Sequence, residues 1–130
     1  MYYASALQQY QSVDIEGRLA CGDPHSQISL LLNGALKRIS IATGATRRGD
    51  IPGKGGALTR AIDIIDSLRA MLDHDNGGAI AENLEALYSY MLRRLVEANR
   101  QSDVDIMDEV GRLLGEIKSG WDSIPPSMRN

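Results

Sequence analysis

Apolar residues recur at intervals of three and four through most of this chain, the spacing of one face of an α-helix. Four stripes of this kind follow one another along the sequence. Their members are Ile28, Leu31, Leu32, Ala35, Leu36, Ile39 and Ala42; then Leu58, Ala61, Ile62, Ile65, Leu68 and Leu72; then Ile80, Leu84, Leu87, Met91 and Leu95; then Ile106, Val110, Leu113, Leu114, Ile117 and Trp121. No segment alternates with the period of two that marks a half-buried strand, so the pattern predicts an all-α protein.

Capping residues predict where the first two helices lie. Asp23 followed by Pro24 is typical of a helix N-terminus, and the first stripe then continues to about residue 45. Residues 47–56, RRGDIPGKGG, contain four glycines and a proline, which predicts a flexible loop. The second helix is then expected at roughly residues 54–74.

Turn residues separate the remaining helices. The run Asp75-Asn76-Gly77-Gly78 predicts the turn of a helical hairpin, with the third helix at roughly residues 79–99. Ser102 is the predicted N-cap of the fourth helix, which ends before Pro125-Pro126.

Four helices of similar length joined by short connections favour an antiparallel up-down four-helix bundle. We expect residues 1–22 to be a loosely docked N-terminal arm or a short additional helix, residues 23–122 to be the bundle, and residues 123–130 to be a flexible tail. The second and third helices carry more apolar surface than one buried face needs. Ile64 and Met71 widen the second stripe, and Tyr88, Leu92 and Val96 flank the third. The extra surface packs against another helix of the fold or against another protein.

Composition excludes several classes of function. The net charge of −3 and the absence of a basic stripe argue against a nucleic-acid partner. A single cysteine, Cys21, excludes an internal disulfide and fits a reducing compartment. No apolar run approaches the length of a membrane span, so no membrane insertion is expected. The first residues, MYYASALQQYQ, lack the features of a signal peptide, and we expect a cytoplasmic protein.

Candidate sites for chemistry are incomplete. GDIPGKGG resembles a phosphate-binding loop but has three residues between Gly49 and Gly53, and Gly55 stands where a metal-binding Ser or Thr is needed. Asp73 opens a calcium-loop-like run whose twelfth residue is leucine rather than glutamate. The two histidines, His25 and His74, have no partners that suggest catalysis, and we interpret them as capping or surface residues at the start of helix one and the end of helix two. We therefore expect no catalytic, cofactor or metal site.

The order and spacing of many residues resemble the FliS family, the cytoplasmic chaperones that bind flagellin before flagellar export. The N-terminus resembles the family's start at Tyr2 and Tyr10, and the Asp23-Pro24-His25 run resembles its first helix. The rest of the resemblance lies in Gly34-Ala35, Lys54-Gly55, Ile62-Asp63-Ile64-Ile65, Leu72-Asp73, Gly77-Gly78, Asn83-Leu84, Leu87-Tyr88, Tyr90-Met91, Arg93-Arg94-Leu95, Ala98-Asn99, Glu109-Val110, Leu113-Leu114 and Trp121.

The resemblance implies a non-enzymatic chaperone whose partner is the disordered C-terminal segment of flagellin. Such a protein prevents premature polymerisation and helps deliver its client to the flagellar type III export apparatus, where the complex would meet the export gate. Apolar grooves suit a client with amphipathic helical segments. The expected client-binding residues lie in the arm and on helices two and three: Leu7, Tyr10, Val13, Ile64, Leu68, Met71, Leu84, Leu87, Tyr88 and Met91.

The sequence leaves two alternatives open. The arm tyrosines either dock into a groove of their own bundle or border a groove that a partner uses. The extra apolar face is also compatible with a helical regulatory adaptor that self-associates or binds a signalling protein.

Overall fold

The computed structural model of the protein describes residues 23–125, and within them it contains four α-helices. These are α1 (Pro24–Arg47), α2 (Ile51–Ala70), α3 (His74–Gln101) and α4 (Val104–Asp122). The predicted N-terminal arm, with Leu7, Tyr10 and Val13, lies outside the described residues, as do residues 126–130.

The helices form an antiparallel bundle in chain order. Helix α1 packs against α2 and α4, and α3 packs against the same two helices. Because each connection is only two or three residues long, consecutive helices must run in opposite directions. The prediction of an all-α four-helix bundle is confirmed. Its core is aliphatic, and the largest fully buried apolar side chains are Leu31, Leu32, Leu58, Ile65, Leu68, Met91, Leu95, Met107, Leu114 and Val110.

The predicted loop at residues 47–56 is wrong, because α2 already begins at Ile51. Asp50 is its N-cap and accepts a hydrogen bond from the Gly53 backbone N–H at 3.0 Å, and a proline occupies the first turn. A Cβ atom at Gly53 would lie 2.3 Å from the Asp50 Oδ2. The glycine therefore makes room for the capping carboxylate, and it does not mark a flexible segment.

The turn between α2 and α3 lies a few residues earlier than predicted. Helix α2 ends at Ala70, and Asp73 caps α3 by accepting a hydrogen bond from the Asn76 N–H at 3.1 Å. His74 therefore begins α3, and its predicted place at the end of the second helix is wrong. Gly78 interrupts the helix with φ 51° and ψ −127°, a conformation open to glycine. Gly78 thus produces a kink after the first turn of α3.

Ser102 is not the N-cap of α4. It ends α3 in the left-handed conformation, with φ 52°, and Asp103 caps α4 through the backbone N–H groups of Asp105 and Ile106. The buried Lys54 holds this junction from α2, since its Nζ donates to the Asn99 carbonyl at 2.9 Å and to the Ser102 Oγ at 2.7 Å. A cation at this position also complements the negative end of the α3 dipole.

Candidate functional site

An apolar cleft lies at the end of the bundle where α1 and α3 begin and α2 and α4 end. It has a volume of about 470 Å³, which is within the range of protein ligand sites. All four helices contribute to it. Its lining comprises Pro24, His25, Ile28, Leu32, Leu68, Met71, Leu72, Asp73, Leu84, Tyr88, Ile117, Trp121 and Ile124. Large apolar side chains dominate this set, so the cleft is suited to apolar groups of a partner.

His25 and Trp121 form a clasp that joins the first turn of α1 to the last turn of α4. Their rings are stacked, with centroids 4.8 Å apart and planes 10° from parallel. The Trp121 Nε1–H donates to the His25 carbonyl at 3.0 Å, and the His25 Nε2 lies 2.8 Å from the Trp121 carbonyl. Since a carbonyl can only accept, the proton of the neutral imidazole is assigned to Nε2. The clasp thereby fixes two neighbouring walls of the cleft.

This arrangement corrects the interpretation of His25 as a capping or surface residue. Its side chain is buried, with 7% of the residue exposed. The N-cap of α1 is instead Asp23, which accepts hydrogen bonds from the backbone N–H groups of His25 and Ser26. The cap was recognisable from local residues, but the clasp was not, because His25 and Trp121 are separated by 96 positions.

Two capping carboxylates add negative charge near the cleft. Hydrogen bonds from the Ser26 hydroxyl and N–H hold the pKa of Asp23 below its ordinary value. The side chain and backbone of Asn76 lower the pKa of Asp73, a lining residue, in the same way. Both groups are therefore ionised at neutral pH.

Tyr88 is a second buried side chain with a polar group in the lining of the cleft. It is 3% exposed, and burial raises its pKa to about 12. Within residues 23–125 its hydroxyl makes no hydrogen bond, although buried hydroxyls normally have a partner. Tyr90, on the same helix, differs because its hydroxyl donates to the Oε2 of Glu109 in α4 at 2.6 Å.

Four of the seven predicted client-binding residues on α2 and α3 line the cleft together: Leu68, Met71, Leu84 and Tyr88. Ile64 and Met91 are core residues, 3% and 0% exposed, and they are not part of the lining. Leu87 is half-buried against the core and is not part of the lining.

The α1 and α4 walls were absent from the predicted site. Ile28, Leu32, Ile117 and Trp121 belong to stripes that the sequence assigns to a helix face. The available signal was that all four lie in the N-terminal half of α1 or the C-terminal half of α4, which meet at the same end of an antiparallel bundle. Assigning them to one cleft required the relative placement of the helices.

A second groove follows the seam between the C-terminal half of α1 and the N-terminal half of α4. Its volume is about 540 Å³. It is more polar than the first cleft, and it is lined by Leu36, Ile39, Ser40, Thr43, Gly44, Arg47, Met107, Asp108 and Gly111.

Two further structural observations concern the described part of the chain. No set of three or more histidine, cysteine, aspartate or glutamate side chains is grouped there so as to hold a metal ion. None of the four helices combines the length and the apolar character needed to cross a membrane.

Comparison with known proteins gives consistent matches along nearly the whole chain. The family described as Flagellar protein FliS matches residues 6–128. The chain is 49% identical over 124 residues to the flagellar secretion chaperone FliSB of Pseudomonas aeruginosa, covering 95% of this chain and 98% of that protein. It is 42% identical over 127 residues to the flagellar secretion chaperone FliS of Salmonella typhimurium, covering 97% and 94% of the two chains. The corresponding protein of Vibrio cholerae is 40% identical over 125 residues, with 96% and 92% coverage. Taken with the helical bundle, these matches show that the chain belongs to the FliS family.

Proposed function

We propose that this protein is a flagellar secretion chaperone that holds the disordered C-terminal segment of flagellin. The observation that carries the proposal is the near-complete match to relatives named flagellar secretion chaperones. In this role the protein acts in the cytoplasm, prevents premature polymerisation of its client and accompanies it to the flagellar export gate. The role requires no catalysis, cofactor, nucleic acid or membrane insertion.

The cleft supports this role physically. An amphipathic segment binds through apolar residues that enter a groove, and the cleft offers side chains from four helices to receive them. A volume of about 470 Å³ accommodates a few side chains rather than a whole helix, so we infer that the cleft is one anchor of a longer interface. A long interface is also expected because ordering a disordered client consumes part of the binding free energy.

Binding can be followed through Trp121, which is the only tryptophan of the chain and lines the cleft. We expect a C-terminal fragment of flagellin from the same genome to bind one-to-one and to change the Trp121 emission. Amide exchange should slow in the cleft-lining turns. If the fragment does not bind and the chain forms a stable homodimer, the adaptor alternative is correct and the chaperone proposal is wrong.

Two leucines of α3 provide a matched pair of variants. Leu84 lines the cleft and Leu87 does not, yet both are half-buried and packed against the same core. Leu84→Ala should weaken binding of the flagellin fragment, whereas Leu87→Ala should leave it within twofold of the parent. Both should lower the free energy of unfolding by about 1–2 kcal/mol, below the range for fully buried leucines. Equal affinities of the two variants would place the client elsewhere.

A further inference from the structure

We propose that the Tyr88 hydroxyl is a hydrogen-bond donor to a backbone carbonyl of the segment that occupies the cleft. This inference rests on the proposed function and assigns to one cleft atom a role in it. The first support is that Tyr88 lines the cleft while being 3% exposed. Tyr88 therefore borders the space that a partner would enter, and it is shielded from bulk water.

The second support is that the hydroxyl has no hydrogen bond within residues 23–125. A buried hydroxyl without a partner loses the free energy of its hydrogen bonds to water, so this hydroxyl does not stabilise the unbound fold. The rise of the Tyr88 pKa to about 12 has burial as its cause, which agrees with a neutral phenol that donates. A bound segment that supplies an acceptor would remove this cost.

The chemistry of the acceptor follows from the rest of the lining. Apart from Asp73 and the clasp, the lining is apolar, so the matching segment is apolar too and its own backbone is the nearest source of acceptors. A helix leaves its last four carbonyls without internal partners, and an extended segment leaves more. The occupant is therefore an apolar segment that presents a helix C-terminus or a non-helical stretch to Tyr88.

Tyr88→Phe tests this assignment, because it removes one oxygen and keeps the ring. The probe is the C-terminal flagellin fragment, titrated into parent and variant. We expect its dissociation constant to rise about five- to tenfold, as for the loss of one net hydrogen bond. The melting temperature should stay unchanged or rise, since the hydroxyl has no hydrogen-bond partner among residues 23–125.

Tyr90→Phe is the matched control on the same helix. It removes the hydroxyl that donates to Glu109, so it should lower the melting temperature and leave the affinity for the fragment unchanged. If Tyr88→Phe binds the fragment as tightly as the parent, or lowers the melting temperature as Tyr90→Phe does, the proposal is wrong. If the parent does not bind the fragment at all, the proposed function itself fails.

A second, independent observation concerns charge along the bundle. We define the cleft half as residues 23–35, 61–87 and 114–125, and the far half as residues 36–60 and 88–113. The cleft half has nine acidic and two basic residues, a net charge of −7, and the far half has six acidic and ten basic residues, a net charge of +4. The overall charge of the described residues is small because these two halves partly cancel.

We infer that this asymmetry selects an occupant of the cleft that is apolar with basic flanks. Charged groups around a binding site favour partners of opposite sign, through both the association rate and the rejection of like charge. An apolar segment with acidic flanks would be repelled by the cleft half. This is charge complementarity between the whole end of the bundle and the segments that enter and leave the cleft.

Two synthetic peptides without tryptophan test this inference. They share one amphipathic core of leucine and alanine and differ only in lysine or glutamate flanks. At about 20 mM NaCl the lysine-flanked peptide should bind at least fivefold tighter, as followed by Trp121 emission. The difference should shrink below twofold at about 0.5 M NaCl, where the Debye length is only a few ångströms. Equal affinities at low salt would overturn the inference, even where the flagellin fragment binds.

Paired charge reversals locate the effect. Glu82→Lys with Glu116→Lys changes two exposed residues of the cleft half, and Asp105→Lys with Asp108→Lys changes two exposed residues of the far half by the same charge. The first pair should weaken binding of the lysine-flanked peptide about tenfold at low salt, and the second pair less than twofold. Equal effects would mean that net charge, rather than its placement, matters.

Discussion

Disruption of the clasp between His25 and Trp121 should destabilise the bundle. Two variants of His25 separate the contribution of its hydrogen bond from the contribution of ring stacking. His25→Phe keeps an aromatic ring at the position that stacks 4.8 Å from Trp121, but it removes the donor to the Trp121 carbonyl. His25→Ala removes both. The hydrogen bond contributes about 1 kcal/mol net, and an aromatic pair contributes about 0.5–1.5 kcal/mol beyond the burial of its surface.

We therefore expect a loss of about 1 kcal/mol in unfolding free energy for His25→Phe and about 2–3 kcal/mol for His25→Ala, the latter including the lost burial of a ring that is 7% exposed. Urea unfolding followed by far-ultraviolet circular dichroism gives these differences from the shift in midpoint. Trp121 emission in the folded state gives a second readout, since the indole loses its stacked neighbour only in His25→Ala.

Two results would refute the reasoning. A loss below about 0.5 kcal/mol for His25→Ala would mean that the clasp does not contribute to stability. Equal losses for the two variants would mean that stacking contributes nothing and that the hydrogen bond accounts for the whole effect.

Binding of the flagellin fragment should weaken in His25→Ala at temperatures where the bundle is still folded, because the Trp121 wall of the cleft is then free to move.

Three further predictions concern other parts of the chain. Lys54→Met should lower the unfolding free energy by about 2–4 kcal/mol in urea titration, because the Asn99 carbonyl loses a charged donor in a buried place. The stability of the parent protein should decrease as the pH falls below about 4.5, because hydrogen bonds from Tyr90 and Arg94 lower the pKa of Glu109 from the ordinary glutamate value of 4.5. The stabilisation is lost once the carboxylate is protonated. The Glu109→Gln variant should be less stable than the parent at neutral pH, and its stability should depend less on pH in this range. Tyr10→Ala should weaken binding of the flagellin fragment about tenfold or more, as measured by calorimetry, without changing the helical content measured by circular dichroism. An unchanged affinity would mean that Tyr10 is not part of the binding site.

The sequence by itself determined the elements of the fold. Spacing of three and four fixed the number and type of helices, because a helix repeats every 3.6 residues whatever it packs against. Asp23 and Pro24 marked the start of α1 correctly, because an N-cap side chain binds the backbone of the residues that directly follow it. Local rules gave the wrong result where two signals competed. The glycines suggested a loop at the start of α2, but Asp50 is the N-cap of a helix that includes most of those glycines.

Only the tertiary structure decided which apolar face is core and which lines the cleft. Ile64 and Leu68 belong to the same stripe of α2, yet Ile64 is enclosed by the core and Leu68 also reaches the cleft near the end of the helix. Contacts between distant positions were equally out of reach, because nothing in the local pattern of His25 specifies Trp121 as its neighbour. Periodicity gives the angle of a side chain around its helix axis, but burial depends on how far along that axis the other three helices extend.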